Sequence, residues 1–140
     1  ADKFRRAGFF QRTGYPLPVN PIRNITDGTS NTIAVWESAG RDRVFLFGQI
    51  WAGQTVYAEH NAWAGGNAFF CYGWNRDGSK YGPYAINATN LTANPYSFHT
   101  GGATFLFADG SVRYLSENMN TANLYAMLTI GANEVVEVGF

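Results

Sequence analysis

Few side chains in this sequence are placed to do chemistry. There are two histidines, His60 and His99, so a catalytic triad or a zinc centre would have to be built around one or both. No His-Glu-x-x-His, Cys-x-x-Cys, Gly-x-Ser-x-Gly or phosphate-cradling glycine loop occurs, and most hydrolase and nucleotide-binding chemistries need one of these. His99 and Asp109 invite reading as a dyad. Yet Ala103 to Asp109 would run about 20 Å if extended at ~3.3 Å per residue, and side chains at opposite ends of one strand do not meet. His99 is instead expected to anchor its loop by a hydrogen bond.

The remaining candidates are weaker in spacing. Glu37 and Glu59 are the carboxylates expected to lie near aromatic surface, and a carboxylate pair beside tryptophan would suit a glycosidase, but nothing in their spacing makes them converge. Trp51, Tyr57, His60, Trp63 and Trp74 can stack on sugar rings, with Trp51, Trp63 and Trp74 the natural platform, or can fill core and subunit contacts. Three Asp-Gly pairs, at Asp27-Gly28, Asp77-Gly78 and Asp109-Gly110, set two readings against each other. Asp27 with Ser30 and Asn31, or Asp77 with Ser79, can offer oxygen to Ca²⁺. None has EF-hand spacing, however, and Asp-Gly is foremost a turn signal, so no cofactor is expected. Cys71, the lone cysteine, lies in Phe69-Phe70-Cys71-Tyr72 and reads as a buried, inert thiol.

Elements that would hold these groups can be read from pattern. Asn31 to Glu37 is apolar on both faces, as in a central strand, and Val44 to Trp51 reads as a second buried strand that can pair with it as a hairpin. Ala103 to Leu115 is the clearest signal: a hairpin about a two-residue type I′ turn at Asp109-Gly110 would put Phe105, Phe107, Val112 and Tyr114 on one face. Asn120 can cap a short helix carrying Leu124, Met127 and Leu128 and ending at Gly131, and Glu134 to Val138 reads as a last strand. Residues 1–24 form an irregular arm with Pro16, Pro18 and Pro21, and residues 52–95 an unassigned aromatic and Gly-rich loop region. Together with strands over 25–51 and the hairpin, helix and last strand over 96–140, they make one α+β, mostly β domain with antiparallel pairing. The triplets beginning at Asn24, Asn87 and Asn90 match the glycan acceptor pattern by chance, and no glycans are expected.

Composition narrows the function. Ten basic and ten acidic residues cancel without any run of like charge, so no footprint for nucleic acid or an anionic membrane exists. Charged residues are 14% of the chain and aromatics 16%, a balance that suits a secreted or assembled protein better than a cytosolic enzyme. No apolar stretch approaches the ~20 residues of a membrane helix. The N-terminus lacks the apolar core of a signal peptide, so an exported chain would have lost its address.

Three stretches carry a family resemblance. Phe98-His99-Thr-Gly-Gly-Ala-Thr-Phe-Leu-Phe-Ala-Asp109-Gly110, with nine residues between His and Asp, resembles the signature of the bacterial domain associated with prepilin-type processing, also called domain of unknown function 1559. Asp27-Gly28-Thr-Ser-Asn31-Thr, continuing to Glu37, is similar to that family's Asp-Gly-Thr-Ser-Asn-Thr segment, and Leu124 to Val136 to its C-terminal stretch. The resemblance implies a pilin- or pseudopilin-like protein whose members begin with a peptidase cleavage site and a long apolar helix; this chain resembles the part that follows. It implies no catalytic residues. The expectation is a non-enzymatic, extracytoplasmic structural subunit that joins copies of itself or other envelope or filament components. The alternative is a carbohydrate- or solute-binding module on the tryptophan platform.

Overall fold

The computed structural model describes residues 21–56 and 71–131. Glu59, His60, Trp63, nearly all of the Pro-containing arm and the expected strand from Glu134 lie outside them. The strands are β1 (Ile33–Trp36), β2 (Phe45–Leu46), β3 (Gln49–Ile50), β4 (Gly102–Phe107) and β5 (Val112–Ser116), followed by one helix, α1 (Thr121–Leu128). Among the described residues a 3-10 turn, Ile22–Asn24, precedes them. The fold is α+β and mostly β. One sheet has the order β1-β4-β5 and a second consists of β2 and β3. Contacts group into two compact units: Ala1–Val35 with Phe105–Arg113 and Ala122–Phe140, and Trp36–Thr104 with Tyr114–Thr121.

The β4–β5 hairpin forms where the sequence places it, but its turn is of another kind. Phe107 N–H donates to the Ser111 carbonyl at 2.8 Å and Gly110 N–H to the Phe107 carbonyl at 3.0 Å. The loop therefore has three residues, Ala108, Asp109 and Gly110. Gly110 has φ +85° while Asp109 is not in the left-handed region, which excludes the type I′ turn and matches a G1 bulge with glycine at the left-handed position. The extra loop residue shifts the register by one and so turns β5 over. Phe105 and Phe107 are buried as expected, whereas Val112 and Tyr114 are 65% and 52% exposed. Their expected inward places go to Leu115, which is buried, and Arg113, whose guanidinium carbon lies 4.3 Å from the centre of the Phe107 ring.

The type I′ geometry occurs instead at Phe47-Gly48. Phe45 pairs with Ile50 and Leu46 with Gln49, and the two residues between have φ 46° and 80°. Thus the run from Val44 to Trp51 is a short hairpin rather than one strand, and β1 pairs with β4 rather than with it. A phenylalanine at positive φ is unfavourable by roughly 1–2 kcal/mol. Tertiary contacts offset this: Phe47 N–H donates to the Ala88 carbonyl at 2.8 Å, and its ring meets Tyr84 edge-on at 5.4 Å.

Regular structure is scarce between β3 and β4, yet Leu91 to Ser97 is buried without a break. A buried loop must find partners for its backbone polar groups. The segment 36–41 supplies several: Trp36 Nε1 donates to Ala93 O, Ser38 Oγ to Asn94 O, Arg41 Nη1 to Thr92 O and Ala39 N to Tyr96 O. Two asparagines, each fully buried, in turn bind the chain that surrounds the loop. Asn90 Oδ1 accepts from Phe45 N, while its Nδ2 faces the carbonyls of Ala39, Gly40 and Arg43 at 2.8–3.1 Å. Asn94 Oδ1 accepts from Tyr72 N, Trp74 Nε1 and Thr92 Oγ1, and its Nδ2 donates to the Tyr72 and Ala85 carbonyls. Around them Val44, Val56, Trp74, Ala88 and Leu91 form an apolar cluster. In the other unit, Ile25 and Ile130 pack with Ala108, and Leu124 and Met127 of α1 are buried as the periodicity requires.

This arrangement makes Asn90 testable. Asn90→Asp keeps the acceptor for Phe45 but turns a buried carboxylate toward three part-buried carbonyls, leaving acceptors unmet at about 1–3 kcal/mol each. Urea unfolding is expected to lose at least about 3 kcal/mol of stability, against a change within roughly 0.5 kcal/mol for Asn118→Asp at an exposed position. Equal midpoints for the two variants would show that the carboxamide is not the organising contact.

Candidate functional site

The signature residues hold backbone. In the turn before β1, Gly28 has φ +92°, its carbonyl accepts from Asn31 N and Thr32 Oγ1, and Asn31 Nδ2 donates to the Asp27 carbonyl at 3.1 Å. The hairpin tip docks on this turn: Ala108 N donates to Thr32 O at 2.8 Å and Asp109 N to Thr29 O at 3.1 Å. Two Asp-Gly motifs distant in sequence are thereby joined main chain to main chain. Glu37, just past β1, receives Thr104 N–H on its carboxylate at 2.6 Å and returns its own N–H to the Thr104 carbonyl. Its carbonyl is taken by Tyr96 N–H. The Glu37 Oε1 thereby completes the end of a strand pair.

The Asp-Gly-Ser sequence repeats one device. Ser79 N and Oγ both donate to Asp77 Oδ1, at 2.9 and 2.7 Å, and Ser111 N donates to Asp109 Oδ1 at 2.8 Å. Ser79, by its side chain first and then its backbone, holds the Asp77 carboxyl below the usual carboxylate range, and Ser111 holds that of Asp109 below it. Asp109 also lies 3.7 Å from the Arg113 guanidinium. Its carboxylate is therefore occupied by the hairpin's own groups and is not offered to a histidine. Among the described residues no group of three or more His, Cys, Asp or Glu side chains is gathered as a metal would require.

The tryptophans divide. Trp74 is 1% exposed and meets Trp51 edge-on at 6.4 Å, so it is core and has no face for a sugar. Trp51 is half-buried, and a Cβ at Gly78 would collide with its six-membered ring, which places the Asp77-Gly78 turn directly upon it. Burial pushes the Cys71 thiol up to about 12, and Asn94 Nδ2 lies 3.8 Å from its sulfur.

His99 lines a cavity of about 410 Å³, with Phe47, Arg76, Tyr84, Asn87, Phe98 and Glu117 among its other walls. Here backbone performs the anchoring that the sequence assigns to the imidazole: His99 N donates to Ser97 Oγ at 3.1 Å and its carbonyl accepts from Asn87 Nδ2 at 3.4 Å. The exposed ring makes no hydrogen bond to a described residue. Asn87, at φ 57°, binds the same loop through Ser97 N and the Gly102 carbonyl. Gly102 has no alternative, because a Cβ there would meet the Leu115 carbonyl and the Tyr114 ring. Arg76 sits 5.0 Å from the Phe47 ring centre and 4.9 Å from that of Tyr84. Arg76 and Glu117 were not legible as site residues, since one precedes an Asp-Gly turn and the other follows a strand; only the aromatic density around Arg76 hinted at a wall.

The model of the family described as "Protein of unknown function (DUF1559)" matches residues 2–122, and the chain belongs to that family. No curated protein and no solved structure matches it.

Two expectations follow. Ser79→Ala should raise the Asp77 carboxyl toward its ordinary value in an NMR titration; because folding lowers it, the turn's ionised-state stability is present above about pH 4 and is lost as pH falls through the folded value. A titration unchanged by the substitution would mean that the serine is not the cause. At pH 8 the thiol of the half-buried Cys71 should resist iodoacetamide in the folded chain and react fully in urea, and labelling at equal rates in both states would contradict its raised pKa.

Proposed function

We propose that the protein is a non-enzymatic, extracytoplasmic structural subunit of pilin-like type, joined to further copies through the outer face of its three-stranded sheet. One observation carries the reading. Val35 on β1, Leu106 on β4 and Val112 on β5 are 39%, 38% and 65% exposed, and the pairing of Glu37 with Thr104 and of Phe107 with Ser111 sets them in a row across the sheet. Apolar side chains aligned on an open sheet face are what an assembly contact buries. Ten positive charges balance ten negative ones, so identical copies meet without net repulsion.

The family resemblance favours the same reading, since the residues that carry it fix turns and strand ends rather than a reacting centre. The test is light scattering of the full chain over rising concentration, with electron microscopy of cells that make it. Self-association is expected, and Leu106→Glu should weaken it at least tenfold, about 1.4 kcal/mol. A chain monomeric at its highest soluble concentration and absent from any surface assembly would sink the reading.

A further inference from the structure

The cavity beside His99 uses none of the residues of the open sheet face. Its volume, about 410 Å³, falls within the roughly 300–1,000 Å³ of small-molecule sites. It combines ring walls with two opposite charges, Arg76 and Glu117. Among the described residues, these two form no ion pair with each other or with a third group.

Each charge is nonetheless held in place. Arg76 rests on the faces of Phe47 and Tyr84, an orientation that leaves the guanidinium's hydrogen-bond donors for a carboxylate. Glu117 Oε2 accepts from Asn87 Nδ2 at 3.3 Å, which fixes the carboxylate without neutralising it. Phe98 is 62% exposed although it packs edge-on against Phe45 at 5.1 Å and Tyr96 at 5.7 Å. Its ring is thus rigid on one side and free on the other.

We propose that this cavity binds a small zwitterion, a free α-amino acid with an aromatic or large apolar side chain: its carboxylate meets Arg76, its ammonium meets Glu117, and its side chain lies against Phe98 and Tyr84. A cavity holding two fixed, opposite charges favours a ligand carrying both signs over one carrying either. The loop from Tyr96 to Gly102 is pinned by Asn87 and by Ser97 Oγ on the Gly102 carbonyl at 2.7 Å, so little ordering is needed on binding.

Calorimetry on the full chain with L-phenylalanine, phenethylamine, 3-phenylpropanoate and methyl glucoside decides the matter. L-Phenylalanine is expected to bind saturably, with both single-charge analogues at least tenfold weaker. Arg76→Gln should cost L-phenylalanine tenfold while leaving phenethylamine unchanged, and Glu117→Gln should do the reverse with 3-phenylpropanoate. No saturable heat from L-phenylalanine to about 10 mM, equal affinity for a single-charge analogue, or tighter binding of methyl glucoside overturns the proposal. The ligand series needs no substitution, so a variant that fails to fold does not rescue it.

Discussion

The structure depends on satisfying the backbone of a loop that is buried without being helix or strand. An unpaired buried carbonyl or N–H costs about 1–3 kcal/mol, and Leu91 to Ser97 lies wholly inside. Ladders cannot serve it, because the segment turns too often. The segment 36–41 serves it instead, and the buried carboxamides, each presenting a donor and an acceptor in the geometry of a peptide group, bind the chain around it. Asn90 therefore takes the place of a strand partner for Phe45 and for the chain from Ala39 to Arg43, and Asn94 ties Tyr72, Trp74 and Ala85 to one point. The same logic explains Glu37, whose carboxylate receives the Thr104 N–H while its own carbonyl is taken by Tyr96.

Once the loop is fixed, the cavity beside His99 is fixed with it. Asn87 adopts a positive φ that asparagine tolerates better than most residues, and from there it holds both Ser97 and Gly102. Tyr114 closes the same stretch by donating its hydroxyl to the Thr100 carbonyl at 2.7 Å. Phe47 is held at positive φ by Ala88 on one side and Tyr84 on the other, and the ring so placed becomes a seat for Arg76. Strain at a turn thus positions a wall of the cavity.

How much of this the sequence discloses depends on the range of the interaction. β1, the hairpin at Asp109-Gly110 and α1 after Asn120 rest on neighbours in sequence, and their existence is legible there. Hairpin register is not, because Ala-Asp-Gly serves a two-residue and a three-residue loop alike. The choice is made by Thr29 and Thr32, which accept the N–H groups of Asp109 and Ala108. Phe47-Gly48 carries no turn signature, since its geometry is imposed by Ala88 and Tyr84 from some forty residues away. The triplets at Asn87 and Asn90 look like glycan acceptors, whereas their amides face carbonyls inside the fold. For the site, Glu37 and His99 are visible as candidates, but the roles of their backbone groups are not, and Arg76 and Glu117 come to line one cavity only through folding.

The abundance of asparagine and aromatic residues then has a cause within the fold. A long irregular segment needs side chains that both mimic peptide groups and fill volume, and asparagine with Phe, Tyr and Trp meets that need where Lys, Glu or Arg would leave charge inside. Within residues 71–97 the charged residues are Arg76, Asp77 and Lys80 alone. The weight of a functional reading shifts to features that this packing does not require: Val35, Leu106 and Val112 open to solvent on a formed sheet, and two opposite charges kept apart in one cavity. Neither is needed to satisfy a backbone group or to close a turn.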